Sequence, residues 1–479
     1  MNVTVLLTQF PVNGYIVTMT SWTPRLDDRT GPRYLAIADQ LAKDLDTGVL
    51  KPGDRLPTHR ELAWKLGVTV GTVTRAYSEA ERRGLIAGEV GRGTFIRDRG
   101  VDVAPPALPP PDDSFIDLRR NFPTTYRPSA AVIQALTDVA ASPEFGHLLT
   151  YATNVGLPEH RAAAVEWLAR AGLDAAPSEV VITSGAQHAM TLAMAAIARA
   201  GDVVLTEQLT FYGMKSVANL LSLRLHGVQM DEYGLVPDAL DAACRQVSPK
   251  ALYCIPTLQN PTAATMPAER RQEIAKICEH HGVLLVEDDI YGFLSVNGPK
   301  PVSSIRPQNS IYITSLSKSV APGLRVGYMR APGALLDRLA STLRATTWMA
   351  PPLMAEVASR LVRCGEAARI AESQRAEAIA RQAIATRLLA GFEYSTHPTS
   401  FHLWLTLPEP WRREEFSAQI RQRGVAVTSA EAFAIGRAPV PHAVRIGLSA
   451  ARDRATLERA LLAIAGLLRE PPDRGIALV

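Results

Sequence analysis

From residue 32 onward the apolar residues fall at helical spacing. Tyr34, Ala38, Leu41 and Leu45 share one face of a helix that Pro32 opens at its first position and Gly48 follows. A second helix is predicted from Thr58, whose hydroxyl pairs with Glu61 three positions on as a capping box. Leu62, Ala63 and Leu66 point inward and Gly67 stops it. A third follows within a few residues, with Thr69 at its N-cap, a buried stripe of Val73, Ala76, Tyr77 and Ala80, and Gly84 after its end. The period then shortens: a strand at Leu85–Ile86, a turn rich in glycine (Gly88, Gly91, Gly93) and a strand at Thr94–Ile96. Three helices and a β-hairpin make a winged helix-turn-helix.

Residues 98–114 interrupt this pattern, with five prolines within 105–111, a composition that favours an extended, semi-rigid spacer. The chain therefore divides into an N-terminal arm (1–30), a winged helix (31–97), a linker (98–114) and a large domain (115–479). In the large domain, short apolar runs at 179–183, 203–206, 251–256, 283–287 and 310–314 alternate with helical patterns. This predicts an α/β fold with a mainly parallel sheet and helices on both faces.

With 479 residues the chain is too long for one ordinary core, in agreement with that division. The net charge of +4 is small, but residues 31–100 hold 12 Lys/Arg against 9 Asp/Glu, a local excess of +3 that suits a polyanion at the N-terminal unit. The four cysteines (Cys244, Cys254, Cys278, Cys364) form no CxxC pair and no His cluster accompanies them. A metal site or disulfide framework is not expected, and a reducing, cytoplasmic location is. Residues 1–20 do not read as a signal peptide, and no apolar run reaches the roughly 18 residues of a membrane span.

In sheets of this kind ligands collect at the carboxyl ends of the strands. Ser184, Gly185, Ala186 and Gln187 follow the 179–183 run and open a helix. Asn260 and Pro261 follow the 251–256 run. Asp288, Asp289 and Tyr291 end the 283–287 run. Ser315, Ser317 and Lys318 follow the 310–314 run, with Arg325 seven residues on. A lysine at a strand end is suited to Schiff-base chemistry. Hydroxyls and an arginine beside a helix N-terminus suit a phosphate, and a carboxylate in the floor suits a protonated ring nitrogen. Together they describe a pyridoxal 5'-phosphate (PLP) site.

Over roughly residues 120–470 the sequence resembles fold-type I PLP aminotransferases. The SxSK…GLRxG element is Ser315-Leu316-Ser317-Lys318 with Gly323-Leu324-Arg325-Val326-Gly327; EDDxY is Glu287-Asp288-Asp289-Ile290-Tyr291; NPTG is Asn260-Pro261-Thr262-Ala263, with Ala in place of Gly. The resemblance implies that Lys318 forms the internal aldimine and that Asp288 faces the pyridine nitrogen. Asn260 and Tyr291 would contact the ring hydroxyl and Tyr212 would stack on the ring. Ala186, Gln187, Ser315, Ser317 and Arg325 would hold the phosphate. Tyr151 resembles the residue that reaches the phosphate of the neighbouring subunit, and Arg445 the arginine that grips an α-carboxylate. It also implies a small C-terminal α+β subdomain at about 350–479. His402 and Trp404, in an alternating pattern, are read as packing residues, and Arg82 and Arg83 as solvated charges at a helix end.

Residues 56–96 resemble GntR-type winged helices: LPTHRELAWKLGV, then TVTRAY, GLI and GRGTF. By that resemblance Arg60, Thr69, Thr72 and Arg75 face the major groove or its phosphates, and Arg92 in the wing approaches the minor groove. The two halves together resemble the MocR/GabR regulators. The implied protein is a transcription regulator that binds double-stranded DNA, works as a domain-swapped homodimer and senses PLP or another B6 vitamer, or an amino compound reacting with PLP. An active aminotransferase carrying a DNA-binding appendage is the alternative.

Overall fold

The computed structural model describes residues 22–24, 26, 32–51, 53–83, 85–89, 93–96, 115–123, 129–436 and 439–470. The linker and nearly all of the expected arm lie outside the described residues. The chain forms two compact units that divide at about residue 103, with 437–441 assigned to the first.

In the first unit, α1 (Arg33–Asp46), α2 (His59–Leu66) and α3 (Val70–Arg82) precede a hairpin of β1 (Ile86–Glu89) and β2 (Gly93–Ile96). Thr58 and Glu61 form the reciprocal capping box, and Thr69 caps α3 by accepting the Thr72 amide. Val73, Ala76, Tyr77 and Ala80 are buried, and the Tyr77 hydroxyl donates to the Pro57 carbonyl at 2.8 Å. On α1 the buried arc is centred on Ile37, Ala38 and Leu41, leaving Tyr34 and Leu45 half-buried at its edges. Pro32 is the N-cap of α1 rather than its first helical residue. Trp22, which falls within the expected arm, belongs to this core, with its indole donating to Asp44 at 2.8 Å. Arg83 is not a solvated charge: it bonds Asp39 at 2.5 Å and Glu79 at 2.7 Å, tying the end of α3 to α1.

In the second unit, β3 (Ile116–Asp117) is followed by a seven-stranded sheet. Its strands are β4 (Val180–Thr183), β5 (Val203–Glu207), β6 (Arg224–Val228), β7 (Ala251–Cys254), β8 (Leu284–Asp288), β9 (Ser310–Ser315) and β10 (Gly327–Arg330). They are ordered β4-β10-β9-β8-β7-β5-β6. The neighbouring pairs β9–β8, β8–β7, β7–β5 and β5–β6 are parallel, whereas β10 runs antiparallel to both neighbours. The sequence reading located five of the seven strands. It missed β6, whose Arg-Leu-His-Gly-Val mixes polar and apolar residues at a sheet edge, and β10, which opens on a glycine directly after the arginine element. Separate apolar clusters cover the two faces, one around Trp167 and Tyr312, the other around Met190 and Ile313.

A four-stranded antiparallel sheet toward the C-terminus contains β11 (His402–Thr406) and β12 (Ala443–Gly447) as its central pair. β3 pairs in parallel with Val425–Ala426, and the Gly447 amide donates to the Leu118 carbonyl at 2.8 Å. These bonds deliver residues 119–123 to the carboxyl ends of the large sheet.

Candidate functional site

Asp288 closes β8 and is only 3% exposed. Its Oδ2 accepts the Tyr253 hydroxyl from β7 at 2.7 Å, while Oδ1, also buried, has no hydrogen-bond partner. Burial pushes its carboxyl up to about 6, against the Tyr253 hydrogen bond and with the help of the neighbouring Asp289 charge.

Lys318 lies on the short helix Leu316–Ser319 that follows β9. Its ammonium donates to the backbone carbonyl of Asn121 and stands 5.9 Å from the Phe122 ring centre. Desolvation, then the charges of Arg445, Arg325 and Arg120, pull its amine down to about 8, which Asp288 partly opposes. A lysine with that value is a usable nucleophile near neutral pH.

Arg445, on β12, is 1% exposed. It donates to Asn260 Oδ1 at 2.6 Å and to the carbonyl of Arg119, and its guanidinium lies 4.9 Å over the Phe433 ring; Nε has no hydrogen-bond partner. Buried Asn121 links the remaining groups. Its amide Nδ2 donates to Tyr291 Oη at 2.9 Å and lies 3.0 Å from His402 Nδ1. His402 Nε2 lies 2.9 Å from the Gln259 carbonyl, so it carries the proton and Nδ1 accepts from Asn121. Burial holds this imidazole neutral, at about 3, and pushes the Tyr291 phenol up to about 12.

The opposite end of the cleft is built from β4, α4 (Ala186–Ile197) and the loop after β9. Gly185 caps α4 with φ 89, and a Cβ there would stand 2.7 Å from Arg325 Nη2, so only glycine leaves the arginine its place. Arg325 itself has a left-handed backbone (φ 52), and its guanidinium reaches back to the Ser184 carbonyl at 3.0 Å. Ser315 Oγ bonds Ser317 Oγ at 2.9 Å and the Val326 carbonyl at 2.9 Å. Ala186 is the first residue of α4, where amides lack helical acceptors. The Gln187 side chain is turned to the Gly213 carbonyl at 3.1 Å, which leaves its backbone rather than its amide for a ligand at this end. Tyr212 opens the next helix, its ring 6.0 Å from Phe433. Tyr151 is the expected site residue that stands apart: it is 82% exposed with its ring edge against Trp348.

Sequence reasoning missed Asn121, Tyr253, Arg119 and Phe433. Tyr253 had a readable signal, a phenol inside an apolar strand that needs a partner. His402, read as packing, also hydrogen-bonds within the site, whereas Trp404 packs against Phe433.

In the first unit Arg60, Thr69 and Arg75 are exposed and Thr72 is half-buried. Thr69 and Thr72 are bonded to each other, Oγ1 to Oγ1 at 2.9 Å, at the start of α3. Arg92 lies outside the described residues.

The donor set fits PLP. A buried carboxylate oxygen without a partner suits a protonated ring nitrogen, the depressed amine of Lys318 suits an imine with an aldehyde, and two hydroxyls, Arg325 and the α4 N-terminus suit a phosphate. Residues 33–96 match the bacterial regulatory proteins of the gntR family, and residues 114–464, most of the chain, match aminotransferase class I and II. The uncharacterized HTH-type transcriptional regulator YdeF of Bacillus subtilis is 30% identical over 460 residues, covering 96% of this chain and 99% of that one. This chain belongs to the HTH-type transcriptional regulators that join a gntR-family head to an aminotransferase class I and II domain. The pyridoxine biosynthesis regulator PdxR of Corynebacterium glutamicum is 28% identical over 324 residues, 64% of this chain and 68% of its own. Among solved structures, Pyrococcus horikoshii kynurenine aminotransferase superposes with a TM-score of 0.69 at 23% identity, covering 74% of this chain and 91% of that one, a likeness of fold. The family's cofactor is PLP. Among the described residues no helix is long and apolar enough to cross a membrane.

Proposed function

We propose that this regulator holds PLP on Lys318 and changes its hold on DNA when an amino compound or B6 vitamer enters the same cleft. The observation that carries the reading is the pairing, in one cleft, of a lysine amine drawn down to about 8 with the unpartnered, buried carboxylate oxygen of Asp288. When bound, the cofactor supplies an electrophilic carbon that distinguishes primary amines from other metabolites. Lys318 provides the attachment point, and Asp288 holds a proton on the ring nitrogen. Asn260 and Tyr291 face the ring hydroxyl, and Tyr212 covers the ring. Ala186, Gln187, Ser315, Ser317 and Arg325 hold the phosphate. Arg445 receives the carboxylate of an amino-acid effector as a bidentate partner.

The relative named for pyridoxine biosynthesis supports a vitamer as effector. In the winged helix, Arg60, Thr69, Thr72, Arg75 and the wing residue Arg92 meet DNA. The protein works in the cytoplasm as a domain-swapped homodimer, with Tyr151 completing the partner's phosphate site; its 82% exposure supports a role outside its own subunit. Two heads related by symmetry then read a repeated or palindromic site.

The test is a gel shift on the protein's own upstream DNA, with and without PLP and a panel of amino acids, alongside the visible spectrum. We expect a visible cofactor band that Lys318→Ala removes, and a DNA affinity that moves with the effector that alters the band. Steady-state turnover of amino- and keto-acid pairs, with DNA binding indifferent to ligand, would instead establish the aminotransferase alternative.

A further inference from the structure

A cavity of 480 Å³ opens on the other face of the large sheet. Along β9, Tyr312 and Thr314 face this cavity, whereas the alternate residue Ser315 belongs to the cofactor cleft. Helix Pro158–Ala169 brings Trp167 to its wall, and Phe293 and Ala368 add further apolar surface. Its floor contains Asp289, which is 4% exposed. Asp289 Oδ2 accepts the Tyr312 hydroxyl at 2.6 Å, but Oδ1 has no hydrogen-bond partner. Leaving a buried carboxylate oxygen unsatisfied is costly, so such an atom calls for a ligand or another explanation.

The rim carries the opposite sign. Arg170, Lys300 and Arg375 line it against the single carboxylate of Glu372, which pairs with Arg375 at 3.4 Å. Arg170 lies 6.0 Å over the Trp167 ring, leaving its guanidinium edge for hydrogen bonds. The volume lies within the range of small-molecule sites, about 300–1,000 Å³.

We propose that this cavity is a second small-molecule site, built for a zwitterion with an aromatic or apolar body. An N–H cation faces Asp289, the body lies between Trp167 and Phe293, and a carboxylate or phosphate meets Arg170, Lys300 and Arg375. The site is chemically separate from Lys318 but mechanically joined to it. Asp289 is bonded in sequence to Asp288, its amide donates to the Ile313 carbonyl at 2.8 Å, and its carbonyl accepts from Thr314 Oγ1 at 3.0 Å. A ligand that fixes Asp289 therefore acts on the turn that carries Asp288 and Tyr291. Binding stands without the proposed function; only its regulatory meaning rests on that reading.

The probe is 4-[(dimethylamino)methyl]benzoate, whose tertiary ammonium keeps one N–H but cannot condense with an aldehyde. It is titrated calorimetrically into the full-length protein, with and without PLP loading, beside its halves benzyldimethylamine and 4-methylbenzoate. We expect the zwitterion to bind at least about tenfold more tightly than either half, and Asp289→Asn to weaken it by about tenfold. Ala368→Trp should fill the cavity and abolish binding while the visible cofactor band remains. Arg375→Glu, on the half-buried rim, should weaken the probe if the tryptophan variant fails to fold. Absence of saturable binding, or binding indifferent to Ala368→Trp and Arg375→Glu, overturns the site. Probe binding in a protein that never takes up PLP would keep the site and sink the function proposed above.

Discussion

Lys318 donates its ammonium to the backbone carbonyl of Asn121. Two residues earlier, the carbonyl of Arg119 accepts from Arg445. The two cations that would meet an aldehyde and a carboxylate are thus both tied to one short segment, which in sequence follows β3, the first strand after the linker. Attachment of Lys318 removes a donor from Asn121, and a carboxylate at Arg445 competes with the Arg119 carbonyl. Hydrogen exchange at residues 119–122 should therefore rise when PLP is added and change again with an effector. In Lys318→Ala it should be high from the start. Exchange indifferent to both ligands, in a protein that shows the cofactor band, would rule this segment out as the readout.

The Lys318 amine titrates at about 8, so it is mainly protonated below that value and mainly free above it. Only the free amine attacks an aldehyde. The rate of appearance of the visible band on adding PLP should rise with pH through about 8 and level off above it. A rate that is flat from pH 6 to about 9 would mean the amine is already neutral throughout.

Asp288 makes the opposite case. Its carboxyl is raised from 3.8 to about 6, so without cofactor native stability falls as the pH rises from about 3.8 to about 6 and stays lowered above that. Asp288→Asn should stabilise the cofactor-free protein by up to about 3 kcal/mol near pH 7.5 and by nothing below about pH 4. The same change should weaken PLP, since the amide cannot hold a ring proton as an ion pair. Thermal melts at the two pH values, with and without PLP, separate these effects. A variant less stable at both would mean that Asp288 acts by packing.

Much of this site was legible because its residues stand at strand ends in short local motifs. Asp288, Lys318 and Arg325 were located by their strand ends and by the motifs that resemble the aminotransferases, and α2 and α3 by their caps and stripes. What escaped was what the tertiary fold assembles. Asn121 sits in irregular chain after the linker, and its three partners Tyr291, His402 and Lys318 lie at least 170 residues away in sequence. No periodicity carries such a contact. Trp22 was lost for the same reason: one aromatic in a stretch without pattern can still fill a core.

The segment that presents Asn121 is held by a close approach at Gly447. A Cβ there would stand 2.6 Å from the Arg120 carbonyl and 2.9 Å from that of Leu118. Gly447→Ala must therefore displace residues 118–121, at a cost of about 1–3 kcal/mol. It should weaken PLP binding although position 447 supplies no side chain to the cleft, while the winged helix keeps its affinity for DNA. An alanine variant with normal PLP affinity would show that the segment can shift without consequence for Lys318.

In the winged helix two arginines give a contrast within one helix and its cap. Arg75 is exposed on α3, whereas Arg83 is 15% exposed and held by Asp39 and Glu79. Arg75→Ala should cost about tenfold in DNA affinity and lower the slope of log affinity against log salt by about one, because one phosphate or base-edge contact is lost. Stability and the cofactor band should be unchanged. Arg83→Ala should do the reverse: it removes the bonds to Asp39 and Glu79 and so unties α3 from α1, for a loss of about 1 kcal/mol. DNA affinity per folded molecule should hold at temperatures where the head remains folded. Binding isotherms at three salt concentrations and a melt of each variant settle the assignment. Equal salt slopes for wild type and Arg75→Ala would remove Arg75 from the DNA-facing surface.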